Sequence, residues 1–467
     1  MFHKNMLDVK IKLHRHYLLA DAPNQKLFVL LEISSDKKCI DSERQEFSAV
    51  FAVDTSGSMR EPAVKPEDIT VANTAAGNFK RGGKAAYGKT KMDILKDSLI
   101  DLYGSPILKR GDRLSLVKFD DTARVLLPFT DATDKKALTE AVNSLEKYSG
   151  GTNMGAGMKT ALELLGNEKG NTRMFLFTDG NTIDEDLALE MSEEFARNKI
   201  PITAIGIGND WNTDFIALLV GRTHGKIFHV LADAENGGYT SDVNTGELKS
   251  ILMSELKHSV NETVTNIVLN ISPAREVKID RISKVYPVQS EVDLSLKPFF
   301  IGNAEAGDIT VFLIEMTVPE HKPGKMRLSQ VSLTHDVCGA SYRGETPIIE
   351  VIVEFGDNEG SVSSTNKEVM HYMRQRNIDS MIDKAVGEVR NNANKAVEIL
   401  KAAMRTAVIL NNASMTRVLD KAVKELQDGK TINEGTLKAL KVGAKTHTVR
   451  FGKDIFTDEE IKKITGA

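Results

Sequence analysis

Apolar residues recur along this chain in three rhythms, and each predicts a different architecture. The first is the unbroken run. Phe47-Ser48-Ala49-Val50-Phe51-Ala52-Val53 and Met174-Phe175-Leu176-Phe177 are apolar at successive positions, as strands covered on both faces require. Between and after them the pattern alternates. A helical stretch at Lys91–Leu102 leads to a strand at Arg113–Phe119, and Ala123–Pro128 forms a hairpin-like partner. Helices are predicted from about Asp134 to Leu145, from Gly155 to Leu165 and over Glu185–Arg197. Strands follow at Pro201–Gly208 and Lys226–Val230. Strands alternating with helices predict a doubly wound, mostly parallel sheet with helices on both faces, over residues 47–233.

The second rhythm has period two. Val9–His16 and part of Leu27–Ile33 alternate apolar and polar, as do Val264–Ile271, Glu276–Val285, Asp308–Val318, Arg327–Leu333 and Ile348–Phe355. An isolated pair of strands is marginal in water, so residues 1–46 are expected to complete an antiparallel β-sandwich with residues 234–356. The α/β unit would then be inserted between the two parts of the sandwich. The third rhythm, of period 3.6, fills residues 366–447 beyond a polar linker at 356–365. Ile378, Met381, Ile382, Ala385, Val386 and Val389 share one face. Ala393, Val397, Leu400, Met404 and Val408 share a second, and Met415, Val418, Leu419, Ala422 and Leu426 a third. These stripes read as the core of a C-terminal helical region. The piece ending at Phe451 alternates like a strand.

Polar residues sit where the buried runs stop. Asp54-Thr55-Ser56-Gly57-Ser58 closes the first run, Thr178-Asp179-Gly180 closes the second, and Gly150-Gly151-Thr152-Asn153 precedes a helix. In parallel sheets ligands bind at the carboxyl ends of strands, which is where Asp54 and Asp179 are placed. The set resembles the metal-ion-dependent adhesion site of the von Willebrand factor A (VWA) family, in a Rossmann-like domain. By that resemblance Asp54, Ser56, Ser58, Thr152 and Asp179 are the metal residues, and the cofactor is Mg2+, or Mn2+ or Ca2+. Magnesium takes hard oxygen ligands in an octahedral shell, and neutral hydroxyls fill that shell without cancelling its charge. Asp54 and Asp179 would hold hydroxyls and waters in place. The resemblance implies that a protein partner's Asp or Glu completes the shell, so the module binds and is not an enzyme. The insertion pattern is similar to that of bacterial cytosolic VWA proteins and of inter-alpha-trypsin-inhibitor heavy chains. Proteins of the bacterial kind work beside MoxR-type AAA+ ATPases or kinase and phosphatase signalling components, which implies partners of that sort.

Composition narrows the setting. With 467 residues, 41% hydrophobic, 27% charged and a net charge of −4, the chain has material for several cores. That charge exerts no global pull toward nucleic acid or anionic membrane. No run approaches the ~20 apolar residues of a membrane span, and the first residues lack a signal-peptide pattern. Cys39 and Cys338 lie far apart with no metal-ligand spacing. The expected compartment is the cytoplasm.

Four further signals compete. Gly83–Thr90 spells G-x-x-x-x-G-K-T, the string of a phosphate-binding loop, and gives an alternative function as a nucleotide-responsive protein. It lacks the buried strand such a loop needs, and Thr90-Lys-Met-Asp93 reads as a helix cap. The long segment between Ser58 and that helix carries Lys80, Arg81, Lys84, Lys89 and Lys91, which would form a positive lid at the rim of the metal face. Trp211, the only tryptophan, either docks a partner or packs on its own helix. His14 and His16 read as a solvent-facing strand edge, there being no third ligand nearby. A phosphatase of the haloacid-dehalogenase type is disfavoured because Ser56 stands where its acid/base aspartate belongs. No G-x-S-x-G elbow or Cys/His pair is present.

Overall fold

The computed structural model describes residues 7–35, 46–62, 89–168, 170–230, 245–305, 307–337, 343–357, 365–429 and 431–452. The chain divides into two compact units. One is residues 45–261, and the other combines residues 1–44 with residues 262–467.

The 45–261 unit holds a six-stranded sheet. Its strands are β4 (Phe47–Asp54), β5 (Arg113–Phe119), β6 (Ala123–Asp131), β7 (Asn171–Thr178), β8 (Ile202–Ile207) and β9 (Lys226–Val230), in the spatial order β6-β5-β4-β7-β8-β9. Every pairing is parallel except that of β5 with β6. The helices are α1 (Lys91–Tyr103), α2 (Lys135–Ser144), α3 (Met154–Leu165), α4 (Glu185–Arg197), α5 (Thr213–Arg222) and α6 (Thr245–Val260). All eight residues of β4 are buried, because side chains alternate across a strand and both faces here are covered. Phe47, Ala49, Phe51 and Val53 share a core with Leu95 and Leu99 of α1, Leu138 of α2 and Leu252 and Leu256 of α6. The Phe51 ring stacks on Phe175 of β7 at 5.0 Å. α3 also packs directly on β4, and α4 packs on α3.

The other unit is a two-sheet sandwich followed by helices. Its N-terminal strands are β1 (Leu7–Leu13), β2 (Tyr17–Leu19) and β3 (Gln25–Ser35). The later ones are β10 (Glu262–Pro273), β11 (Lys278–Tyr286), β12 (Ser290–Glu291), β13 (Phe299–Glu305), β14 (Ile309–Val318), β15 (Gly324–Val337), β16 (Arg343–Glu345) and β17 (Ile349–Gly356). One sheet runs β1-β3-β14-β11-β12. The second runs β13-β10-β15-β17-β2, with β16 on β15. Leu27, Val29, Leu31 and Ile33 of β3 meet Val264, Leu269, Leu333, Val351 and Val353 of the second sheet in one core.

Two details differ from the sequence reading. The sandwich is not wholly antiparallel, since β2 pairs with β17 in parallel. The stretch from Val9 to His16 also divides: β1 ends at Leu13, and His14 turns inward. His14 is 2% exposed, and its Nδ1 accepts a 2.9 Å hydrogen bond from the Phe28 N–H. Burial pushes its pKa down to about 4, so it is a neutral core acceptor and not a solvent-facing edge residue.

Helices α7 (Lys367–Glu388), α8 (Ala393–Ile409), α9 (Ala413–Gly429) and α10 (Glu434–Thr446) follow. They share a core of Ile378, Ile382, Leu400, Leu419, Leu426 and Leu440. α7 also covers the outer face of the first sheet, where Val369 and Tyr372 pack on Leu30, Val311 and Leu313. The segment read as a terminal strand is no strand. Lys441–Thr446 completes α10, and the next residues spend their donors on side chains. Val449 N–H donates to Gln375 Oε1 at 2.7 Å, and Phe451 N–H donates to the Tyr372 hydroxyl at 3.3 Å.

Candidate metal centre

β4 and β7 lie side by side with Val53 opposite Phe177, so the residues after them meet at one sheet edge. Asp54 is fully buried there. Its Oδ1 accepts the Ser56 N–H at 2.9 Å, and its Oδ2 accepts the Thr178 hydroxyl at 2.9 Å. The Ser56 and Ser58 hydroxyls are 3.1 Å apart. The Ser58 hydroxyl donates to Asp179 Oδ1 at 2.8 Å. Asp54, Ser56, Ser58 and Asp179 are therefore linked by a continuous chain of hydrogen bonds across two strand ends.

The Thr152 loop is fastened to both of its neighbours. Gly57 N–H donates to the Gly150 carbonyl at 3.1 Å, which ties it to the first loop. The Thr152 carbonyl accepts Ile183 N–H at 2.9 Å and the Thr182 hydroxyl at 3.1 Å, which ties it to the third. Asp184 of that third loop caps α3, accepting Gly155 N–H and Ala156 N–H at 2.9 Å each. An acid at a helix N-terminus satisfies donors that have no partner within the helix. The Thr152 loop is thus anchored by its backbone to both neighbouring loops, and Thr152 is itself buried. All five sequence-predicted residues come from three cross-linked loops at the carboxyl edge of the sheet.

Electrostatics set the character of the site. Burial pushes the Asp54 carboxyl up to about 7; its hydrogen bonds with Ser56 pull the other way, and the nearby Asp179 carboxylate pushes it higher still. Two carboxylates this close invite a cation. The donor set is hard oxygen, which suits magnesium or a similar ion. Among the described residues no group of three or more His, Cys, Asp or Glu side chains could hold a metal.

Sequence reasoning missed or misplaced several partners. Thr178 is read from the sequence only as closing the second run, yet its hydroxyl holds Asp54. Asp120 accepts from the Thr55 hydroxyl at 3.0 Å and from Lys118 Nζ at 2.6 Å, bracing the first loop. Lys91 was placed among the exposed lysines of a positive rim. It is instead 2% exposed, with Nζ donating to Asp179 Oδ2 at 2.6 Å. The other rim residues, Lys80, Arg81 and Lys84, lie outside the described residues, as do Cys39, Cys338 and residues 83–88 of the phosphate-loop string. Of that string, Thr90 caps α1: its hydroxyl accepts Asp93 N–H at 3.0 Å, and Asp93 Oδ2 accepts Thr90 N–H at 3.0 Å. Lys89 pairs with Asp97. Trp211 is buried, 1% exposed, and packs within its own domain. Its Nε1 donates to the Gly208 carbonyl at 2.9 Å, and its ring lies over Gly206, where a Cβ would come within 2.0 Å of it.

The fold and the site define an α/β domain whose loops gather oxygen-bearing side chains at a parallel sheet edge. Residues 49–181 match the family model of the von Willebrand factor type A domain, and the chain carries a domain of that family. Over nearly its full length the chain is similar in fold to a solved von Willebrand factor type A protein from Catenulispora acidiphila. Identity there is 18%, TM-score 0.74, and 96% of this chain and 99% of that one are covered. It is also similar to the ArnB paralog VWA2 from Sulfolobus acidocaldarius, at 13% identity and TM-score 0.55, covering 95% and 100%. The uncharacterized protein sll0103 of Synechocystis is 21% identical over 355 residues, which is 73% of this chain and 80% of that protein. No helix among the described residues is long and apolar enough to cross a membrane.

Proposed function

We propose that this chain is a non-enzymatic, divalent-metal-dependent protein-interaction module, working as an adaptor in an intracellular bacterial complex or signalling system. Magnesium, or manganese or calcium, would be held by the hydroxyls of Ser56, Ser58 and Thr152 with the carboxylates of Asp54 and Asp179. The metal supplies an electrophilic point that takes an acidic side chain of a partner. A MoxR-type AAA+ ATPase or a kinase or phosphatase component is a partner of the expected kind. The observation that carries this reading is the chain of contacts from Asp54 through Ser56 and Ser58 to Asp179, with the Thr152 loop fastened beside it. Ile183, 74% exposed next to the Thr152 loop, offers an apolar contact at its rim. The nucleotide alternative draws no support from Thr90, whose hydroxyl is spent on capping α1.

Calorimetric titration with Mg2+ and Mn2+ tests the proposal. One site is expected in the wild type, lost in Asp54→Ala and weakened in Thr152→Ala, with the fold retained in both. Undiminished binding in Asp54→Ala moves the metal elsewhere and refutes it.

A further inference from the structure

A lysine buried beside a set of metal residues calls for an explanation, because it brings positive charge to a place that must attract a cation. Lys91 is 2% exposed and Asp179 fully buried, with 2.6 Å between Nζ and Oδ2. A buried ion pair is seldom a source of stability, since desolvation consumes the attraction. This one is also built with care. Thr90 and Asp93 form a capping box that fixes the first turn of α1 and hence the root of Lys91. The far end of the side chain runs against Gly208, whose φ of +77° favours glycine and where a Cβ would lie 3.0 Å from Lys91 Cε. Asp210 Oδ2 is 3.9 Å from Nζ as a secondary partner.

The two oxygens of Asp179 face different ways: Oδ1 takes the Ser58 hydroxyl and Oδ2 takes Lys91. One carboxylate therefore serves the oxygen chain on one side and an ammonium on the other. We infer that Lys91 is the built-in counter-cation of the metal centre, leaving the loaded site positive and so setting its demand for a carboxylate from outside. The charge count shows why. Two carboxylates against a divalent ion give a neutral site, which has no call for a further anion. Adding the Lys91 ammonium leaves one positive charge among the buried groups, where charges are weakly screened, whereas the Asp210 side chain, 3.9 Å from Nζ, is 42% exposed and its charge is screened by solvent. Lys91 thus weakens metal binding and strengthens ligand capture. It acts as a positioning and charge-setting residue that touches neither metal nor ligand.

The inference rests on the metal-dependent reading above, and its test separates the two. Free Mn2+ measured by electron paramagnetic resonance gives metal affinity. Water-proton relaxation of the Mn2+-loaded full chain, titrated with N-acetylaspartate, reads entry of a carboxylate as loss of coordinated water. Lys91→Met is expected to bind Mn2+ about tenfold more tightly and N-acetylaspartate about tenfold more weakly than wild type. A purely structural lysine would lower both or neither, and either result overturns the inference. Should Lys91→Met fail to fold with Asp179 left unpaired, Lys91→Met/Asp179→Asn removes both charges and restores the wild-type sum. That double variant is expected to bind Mn2+ more weakly yet admit N-acetylaspartate as the wild type does. Exclusion of the carboxylate from the Mn2+-loaded double variant also overturns the inference. Absence of Mn2+ binding in the wild type, or binding indifferent to Asp54→Ala, takes down the underlying reading and the inference with it.

Discussion

Asp54→Asn should make the metal-free protein more stable above neutral pH while destroying its response to metal. The buried Asp54 carboxyl is raised from 3.8 to about 7, chiefly by desolvation. In the unfolded chain it titrates near 3.8. Between these values the folded state holds the proton more tightly, so this residue's contribution to stability is full below 3.8. That contribution is lost as pH rises through about 7. At 1.36 kcal/mol per pH unit the loss is on the order of 4 kcal/mol. Asparagine keeps the shape and is never charged. Its Oδ1 still accepts Ser56 N–H, and the Thr178 hydroxyl can turn to accept its amide. At about pH 8 in chelator the variant should therefore melt higher than wild type by up to about 10 °C for a unit of this size. At about pH 3.5, below the unfolded value of 3.8, the two should nearly coincide. Added Mg2+ should raise the melting point of the wild type at pH 8 and leave the variant unmoved. Thermal unfolding followed by calorimetry at both pH values, with and without Mg2+, reads all four arms. A variant less stable than wild type by the same amount at both pH values would show that Asp54 is a structural hydrogen-bond acceptor and would refute the electrostatic argument.

Other outcomes follow from the same geometry. Gly206→Ala should destabilise the 45–261 unit by about 3 kcal/mol or more in urea unfolding, because its Cβ would fall 2.0 Å from the Trp211 ring. A fragment of residues 45–261 should fold and bind Mn2+ alone, whereas 262–467 should aggregate in size-exclusion chromatography. The latter lacks β3, which supplies Leu27, Val29, Leu31 and Ile33 to the sandwich core. Gln375→Ala should cost about 1–3 kcal/mol by thermal melting, since its amide donates to the Val285 carbonyl at 2.6 Å and its Oε1 accepts Val449 N–H.

What the sequence made legible was periodicity reinforced over long runs. The both-face burial of Phe47–Val53 and the helix over Glu185–Arg197 needed only local pattern. The VWA-type sheet edge followed because the polar residues stand where those buried runs stop. Less legible were features without a local signature. β13 was missed because Gly302 and Asn303 interrupt its alternation, and its partner β10 shifts register around Val264 and Ile267. The parallel pairing of three-residue β2 with β17 joins segments distant in sequence. Val449–Phe451 mimics a strand because alternation records an extended backbone, not which partner takes its N–H groups. Lys91 was misread because a lysine in a charged stretch counts as surface, and only the fold brings Asp179 over it.

The segment between Glu61 and Lys91 enters and leaves the domain at one point. Pro62 and Thr90 form an antiparallel bridge, and Lys91 N–H donates to the Glu61 carbonyl at 3.2 Å. With the two ends already clamped, the entropic cost of closing whatever lies between them grows only with the logarithm of its length, about 0.6 kcal/mol per doubling. An insertion between these two clamped ends is therefore expected to add little strain at Ser56 or Ser58. A fluorescent reporter inserted between those ends should sit near the Ser56–Ser58 edge while leaving the sheet beneath it undisturbed.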